Sequence, residues 1–143
     1  MQFRPLNPDW RTKVQQVLDG APFVQHLGIR PTHLEPGVCH TTLAVRPEML
    51  QHDGYVHAGV TTTLADHTAG AAAGTLIPAD HTVLSVEFKV HLLRAAQTST
   101  LVCRAQVIKP GAMFSVVEAD VFDDAGKQVS RLLGTMASVP LQR

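Results

Sequence analysis

Apolar residues first recur at helical spacing at Trp10, Val14, Val17 and Leu18, one face of a 3.6-residue turn. Asn7-Pro8 ahead of them offers an N-cap and a proline at the first helical position, and Gly20 and Pro22 end the run. Residues 1–22 are therefore expected to form a short helical segment across the surface of the fold. From Phe23 to Arg46 the pattern turns strand-like, and Pro36-Gly37 between Gly28–Glu35 and Val38–Arg46 predicts a hairpin. A loop, Pro47–Val56, follows.

His57 to about Ile77 lacks alternation and is rich in small helix formers (Ala58, Leu64, Ala65, Ala69, Ala71, Ala72, Ala73), so one long helix is expected over residues 57–77. Gly70 and Gly74 each weaken such a helix by about 1 kcal/mol relative to alanine, which suggests that something packs closely against it. After Pro78 the period becomes two. Leu84, Val86, Phe88, Val90 and Leu92 are expected on one face, and Ser85, Glu87, Lys89 and His91 on the other. Thr100–Ile108, Met113–Phe122 and about Gln128–Val139 read as further strands, separated by Pro110-Gly111 and Asp123-Asp124-Ala125-Gly126. Three or four of these strands should form an antiparallel meander. One long helix among about six strands is an α+β arrangement, in which a curved antiparallel sheet wraps a single central helix; this is the hotdog fold.

The chain has 143 residues, enough for one core, so a single domain over 1–143 is expected. Its 45% hydrophobic and 17% charged residues suit a folded protein rather than a disordered one. With a formal net charge of zero, no global field draws in nucleic acid or an anionic membrane, and neither is expected as a partner. The segment Met1-Gln2-Phe3-Arg4-Pro5-Leu6 holds no apolar run of signal-peptide length, and none elsewhere is long enough to span a bilayer. A cytoplasmic location is expected. Cys39 and Cys103 lie in strand-like segments without metal-ligand spacing and read as buried free thiols rather than a disulfide.

The stretch from Gln51 to Asp66 carries the candidate chemistry. A loop bearing a side-chain amide, Gln51, leads into the start of the long helix at His57-Ala58-Gly59, and a carboxylate, Asp66, follows in the third turn. Free N–H groups at a helix start can stabilise an oxyanion. Asp66 sits among Leu64, Ala65 and Ala69, where a carboxylate is costly without partners. It lies on a solvated face, is neutralised by Thr62, Thr63 or His67, or is functional. Ala58 and Asp66 are eight residues apart, about 12 Å along one helix, so both can act on one carbonyl only if they come from two chains. A two-fold dimer would supply two such sites.

Gln51, the triplet His57-Ala58-Gly59 and Leu64-Ala65-Asp66 resemble, in order and spacing, the signature of the PaaI-like hotdog acyl-coenzyme A thioesterases. Val90-His91-Leu92-Leu93-Arg94-Ala95-Ala96 is similar to that family's strand ending in Leu-Arg-Pro-Ala, and Val107-Ile108-Lys109-Pro110-Gly111 to its basic turn. The triplet departs from the family in having Ala58 where glycine is usual. The resemblance implies hydrolysis of a phenylacetyl-like or medium-chain acyl-coenzyme A. Asp66 would be general base or nucleophile, the Ala58 N–H would polarise the carbonyl, and Gln51 would orient the thioester or water. His57 and Gly59 would shape the loop. It further implies a homodimer that pairs into a tetramer, and no cofactor beyond the coenzyme A of the substrate. Ser85 is near a serine that assists in some relatives. Arg94 and Lys109 are either contacts for coenzyme A phosphates or solvated strand ends. The eight histidines match no metal-binding spacing, so no metal is expected. Two other readings stay open: a hotdog enoyl-coenzyme A hydratase or dehydratase using His57, and a non-catalytic acyl-coenzyme A-binding module.

Overall fold

The structure, a computed structural model, describes residues 2–142; Met1 and Arg143, the two ends of the expected domain, lie outside the described residues. In chain order the elements are α1 (Trp10–Gly20), α2 (Pro22–Leu27), β1 (Arg30–Glu35), β2 (Val38–Ala44), a 3₁₀ turn (Pro47–Met49), α3 (Ala58–Gly74), β3 (His81–Leu92), β4 (Thr100–Lys109), β5 (Phe114–Phe122) and β6 (Gln128–Pro140). The six strands form one antiparallel sheet in the order β1-β2-β4-β5-β6-β3. The expected α+β hotdog architecture, a curved sheet wrapped around one long helix, is what the chain forms.

Three local readings of the sequence are corrected or narrowed. The chain after Pro22 is helical rather than strand-like: Pro22 sits at the first position of α2, where its missing N–H costs nothing, Val24 and Leu27 are buried one turn apart, and Gly28 closes the helix at φ 81°. Six residues are too few for periodicity to announce a helix. The meander, expected to hold three or four strands, holds three, β4-β5-β6. α3 carries the chain from the β2 side to the far edge, so β3 pairs with β6 and not with β4. The third correction concerns the faces of β3.

Ser85 lies opposite Met136 and Glu87 opposite Thr135, so Val86 is an extra residue in the ladder. Such a bulge breaks the alternation. Ser85 therefore shares the inner, helix-facing side with Phe88, Val90 and Leu92, while Leu84 turns to the outer side. The partner strand admits this because it carries a glycine: a methyl group on Gly134 would meet Phe88 Cβ at 2.9 Å and the Glu87 carbonyl oxygen at 3.0 Å. Gly134→Ala is expected to destabilise the fold by about 1–3 kcal/mol through overpacking, read as a lower urea midpoint.

Leu64, Ala65, Ala69 and Ala72 of α3 are fully buried against Leu101, Cys103, Val117, Ala119, Val121 and Leu132 of the inner sheet face. Small helical side chains let the curved sheet approach closely. Thr68 and Thr41 share a buried 2.6 Å hydrogen bond that ties helix to sheet, and Thr68 Oγ1 also bonds the Leu64 carbonyl. At the other end Thr75 Oγ1 accepts from the Gly37 N–H at 2.7 Å, pinning α3 to the β1–β2 turn. Cys39 and Cys103 are buried free thiols, and burial pushes both pKa values up to about 12. They are therefore poor nucleophiles. Among the described residues no helix is long and apolar enough to cross a membrane.

Candidate active site

Gln51 opens a tight loop. Its backbone N–H donates to the Tyr55 carbonyl at 2.8 Å, the Gly54 N–H returns to the Gln51 carbonyl at 3.0 Å, and Gly54 takes φ 85°, which a side chain would strain. Gln51 Oε1 accepts from the Asp53 N–H, so its NH₂ is the group able to reach a substrate. The loop is fixed to the segment between β3 and β4 by Val56 N–H to the Ala96 carbonyl, 2.9 Å, and to the 3₁₀ turn by His57 N–H to the Met49 carbonyl, 2.9 Å.

His57 is the N-cap of α3. Its Nδ1 accepts from the Gly59 N–H at 2.9 Å, which puts the ring proton on Nε2, and its carbonyl receives the N–H groups of Val60 and Thr61. Of the first N–H groups of α3, those of Gly59, Val60 and Thr61 are thus taken. The Ala58 N–H, at the positive end of the helix dipole, has no hydrogen-bond partner among the described residues. Ala58 lines a groove of about 260 Å³ with Gln51, Tyr55, Thr61, Leu92 and Arg94. His57 and Gly59 face a different groove, beside Phe23, Arg46 and Thr63.

Asp66 lies two turns further along α3, half-buried, and Ser85 Oγ donates to its Oδ1 at 2.6 Å. The bulge at Val86 makes that contact possible, since unbroken alternation would have turned Ser85 to the outer face. Neither threonine that could have neutralised Asp66 does so: Thr63 Oγ1 bonds the Gly59 carbonyl at 2.8 Å and Thr62 makes no hydrogen bond to it among the described residues. His67 lines the same cavity without bonding Asp66. Burial holds its pKa below the ordinary value of 6.5, with the Asp66 carboxylate pulling the other way, and its Nε2 is buried without a partner among the described residues. His67 is therefore a neutral wall beside the carboxylate.

The Asp66 cavity, about 290 Å³, lies between α1, α3 and the start of β3. Sequence reasoning gave α1 no part in the site, yet Val14 and Val17 wall this cavity. Their helical spacing was visible; what they cover was not. Asp66 and Ala58 therefore line separate cavities of one chain. Arg94 belongs to the Ala58 groove, while Lys109, at the other end of β4, lies outside both. Among the described residues no three His, Cys, Asp or Glu side chains gather as a metal site.

A family description, Domain of unknown function (DUF4442), matches residues 12–137. A 1,4-dihydroxy-2-naphthoyl-CoA hydrolase from Listeria monocytogenes is 30% identical over 101 residues, 71% of this chain and 82% of that protein. The chain belongs to the PaaI-like hotdog thioesterases. It is a thioester hydrolase by family. A thioesterase family protein from Silicibacter pomeroyi superposes on this thioesterase with a TM-score of 0.87 at 30% identity, over 92% of this chain and 99% of that one. The PaaI protein from the phenylacetic acid degradation operon of E. coli superposes with a TM-score of 0.84 over 96% of each chain, and at 20% identity shares the fold.

Proposed function

We propose that this thioesterase hydrolyses a small aromatic or medium-chain acyl-coenzyme A to free acid and coenzyme A, at sites assembled from two chains. The observation that carries the reading is the separation within one chain of the Asp66–Ser85 pair from the free Ala58 N–H. A thioester carbonyl needs both an activated nucleophile and an oxyanion donor. Here each chain brings one of them to a given site.

In this reading the carbonyl oxygen accepts from the Ala58 N–H of one chain, with the Gln51 amide nearby. Asp66 of the second chain, held by Ser85 at Oδ1, either takes a proton from the attacking water or attacks the carbonyl carbon itself. The C–S bond breaks and the thiolate leaves with little need of an acid; in the first case the water oxygen ends in the acid product, and in the second an Asp66–acyl anhydride forms, which a water molecule then hydrolyses to free acid and the Asp66 carboxylate. Arg94, in the Ala58 groove, is suited to a coenzyme A phosphate. Lys109 would have to serve from another chain.

Pairing through β3 would bring the two halves together. Among the described residues this strand is a sheet edge with an unpaired backbone rim, and Leu84, Val86 and Leu92 along it, with Leu93 just after it, are each more than half exposed; such an edge invites a second strand. Phe114, Val116 and Leu133 on the outer sheet face are also exposed and suit the pairing of dimers into a tetramer.

The test is thiol release across a panel of acetyl-, hexanoyl-, phenylacetyl- and palmitoyl-coenzyme A, run beside hydration of an enoyl-coenzyme A. Release peaking at the middle of the panel, without hydration, is expected. Hydration in place of release would sink the reading in favour of a hydratase. His57 is poorly placed for that chemistry, because its Nδ1 is committed to the Gly59 N–H.

A further inference from the structure

Asp66, Gly70 and Gly74 stand on successive turns of one face of α3, about 6 Å apart along its axis. The two glycines differ in what lies above them. A methyl group on Gly74 would meet Val14 Cγ2 at 3.4 Å and Val83 Cγ2 at 3.9 Å, so this glycine is a close-packing position against α1. A methyl group on Gly70 would meet nothing within 4 Å. Close packing, which the sequence suggested for both, accounts for Gly74 alone. At Gly70 the helix carries a residue about 1 kcal/mol worse than alanine, with no neighbour that requires it.

The space over Gly70 is the Asp66 cavity. Asp66 and Ser85 stand at one end, Val14 and Val17 of α1 and Val83 of β3 form the walls, and Ile77 lies towards the other end. Lys13 fixes that α1 wall: its Nζ donates to the carbonyls of Pro78, at 3.3 Å, Ala79, at 2.7 Å, and His81, which ties α1 to the turn after α3. The cavity is thus open over Gly70 and narrower beyond it, where Val14 stands over Gly74 on the way to Ile77. From Asp66 to Gly70 is roughly 6 Å along the helix axis, so a phenylacetyl or medium-chain acyl group that starts at the carboxylate passes over Gly70.

We propose that the cavity between α1, α3 and β3 receives the acyl group of the substrate and that Gly70 is the residue that sets how large an acyl group it accepts. The inference rests on the thioesterase reading above and adds the direction in which the acyl group points. Side chains at position 70 should discriminate by size, because a misfitting group in an apolar pocket commonly costs ten- to two-hundredfold in specificity.

The experiment compares wild type with Gly70→Ala and Gly70→Val. Alanine favours the helix and meets no neighbour, so that variant folds. The ratio of kcat/KM for phenylacetyl-coenzyme A to that for acetyl-coenzyme A is expected to fall severalfold in Gly70→Ala and about tenfold or more in Gly70→Val, chiefly through KM. Binding of non-hydrolysable phenylacetyl- and acetyl-coenzyme A thioethers, measured by calorimetry, should shift in the same ratio. An unchanged ratio in both variants overturns the proposal, as does loss of the dimer in Gly70→Val with no change of ratio in Gly70→Ala, which would make Gly70 an interface residue. If wild type hydrolyses no thioester, the thioesterase reading fails by itself; thioether binding that still weakens with size at position 70 would uphold the pocket, and binding that does not would end it.

Discussion

Asp66→Ala is expected to lower kcat for thiol release by about 10²–10⁴-fold, the range for loss of a general base, while molecular mass and urea midpoint stay at their wild-type values. The carboxylate is half-buried and its one hydrogen bond among the described residues is to Ser85, so its removal leaves a single hydroxyl unpaired at a cavity wall and does little to the fold. Asp66→Asn keeps the shape and the Ser85 contact but can neither take a proton nor attack, and should be similarly impaired. Ser85→Ala should lose less, because Asp66 keeps its charge and forfeits only orientation. Hydrolysis at the wild-type rate by Asp66→Ala across the whole acyl panel would refute a catalytic Asp66 and favour a binding module.

Mixing two inactive variants is expected to restore activity. Ala58→Pro removes one N–H and little else: Ala58 is the first residue of α3, a position that accepts proline, and His57 before it has φ −62° and ψ 135°, the conformation that proline requires of its predecessor. Loss of that donor should cost about 10²–10³-fold in kcat. If Asp66 of one chain serves the Ala58 N–H of the other, a mixed dimer of Asp66→Ala and Ala58→Pro chains holds one site with both groups and one with neither. Equal amounts, unfolded and refolded together, should return about a quarter of wild-type activity, since half the dimers are mixed and each has one working site of two. Recovery no greater than the mean of the two separate variants would overturn the shared site. A site within one chain predicts that same absence of recovery, so the experiment separates the two arrangements.

How much of this was legible in the sequence depends on the range of the interaction. α3 could be read from its run of alanines, and β4, β5 and β6 from alternation and turn residues, because each is specified by its own residues. The Gln51–Asp66 segment was legible for the same reason, including the argument that Ala58 and Asp66 cannot meet within a chain, which needs only the rise of a helix. α2 was missed because six residues carry too little periodicity and Pro22 is equally good at ending one helix and starting another. The position of β3 beside β6 follows from where α3 delivers the chain, which no local pattern records. The contact between Ser85 and Asp66 was hidden most deeply: it needs Val86 to stand outside the ladder, and that bulge packs on the glycine at position 134 of another strand. The part of α1 in walling the Asp66 cavity was hidden likewise.

The bulge also decides which kinds of change the site can absorb. Ser85 faces Asp66 because one residue more than the ladder requires stands between it and the rest of β3. The side chain of that residue, Val86, is 54% exposed, so its chemical identity matters little to the contact. Drawing it into the ladder at unchanged chain length would restore strict alternation and turn Ser85 outward, whereas deleting it would restore alternation and leave Ser85 opposite Met136, still facing inward. The pairing of carboxylate and hydroxyl thus answers to the register of the ladder rather than to the residue that stands outside it, tolerant of exchange at position 86 and of its loss, and intolerant of its entry into the ladder.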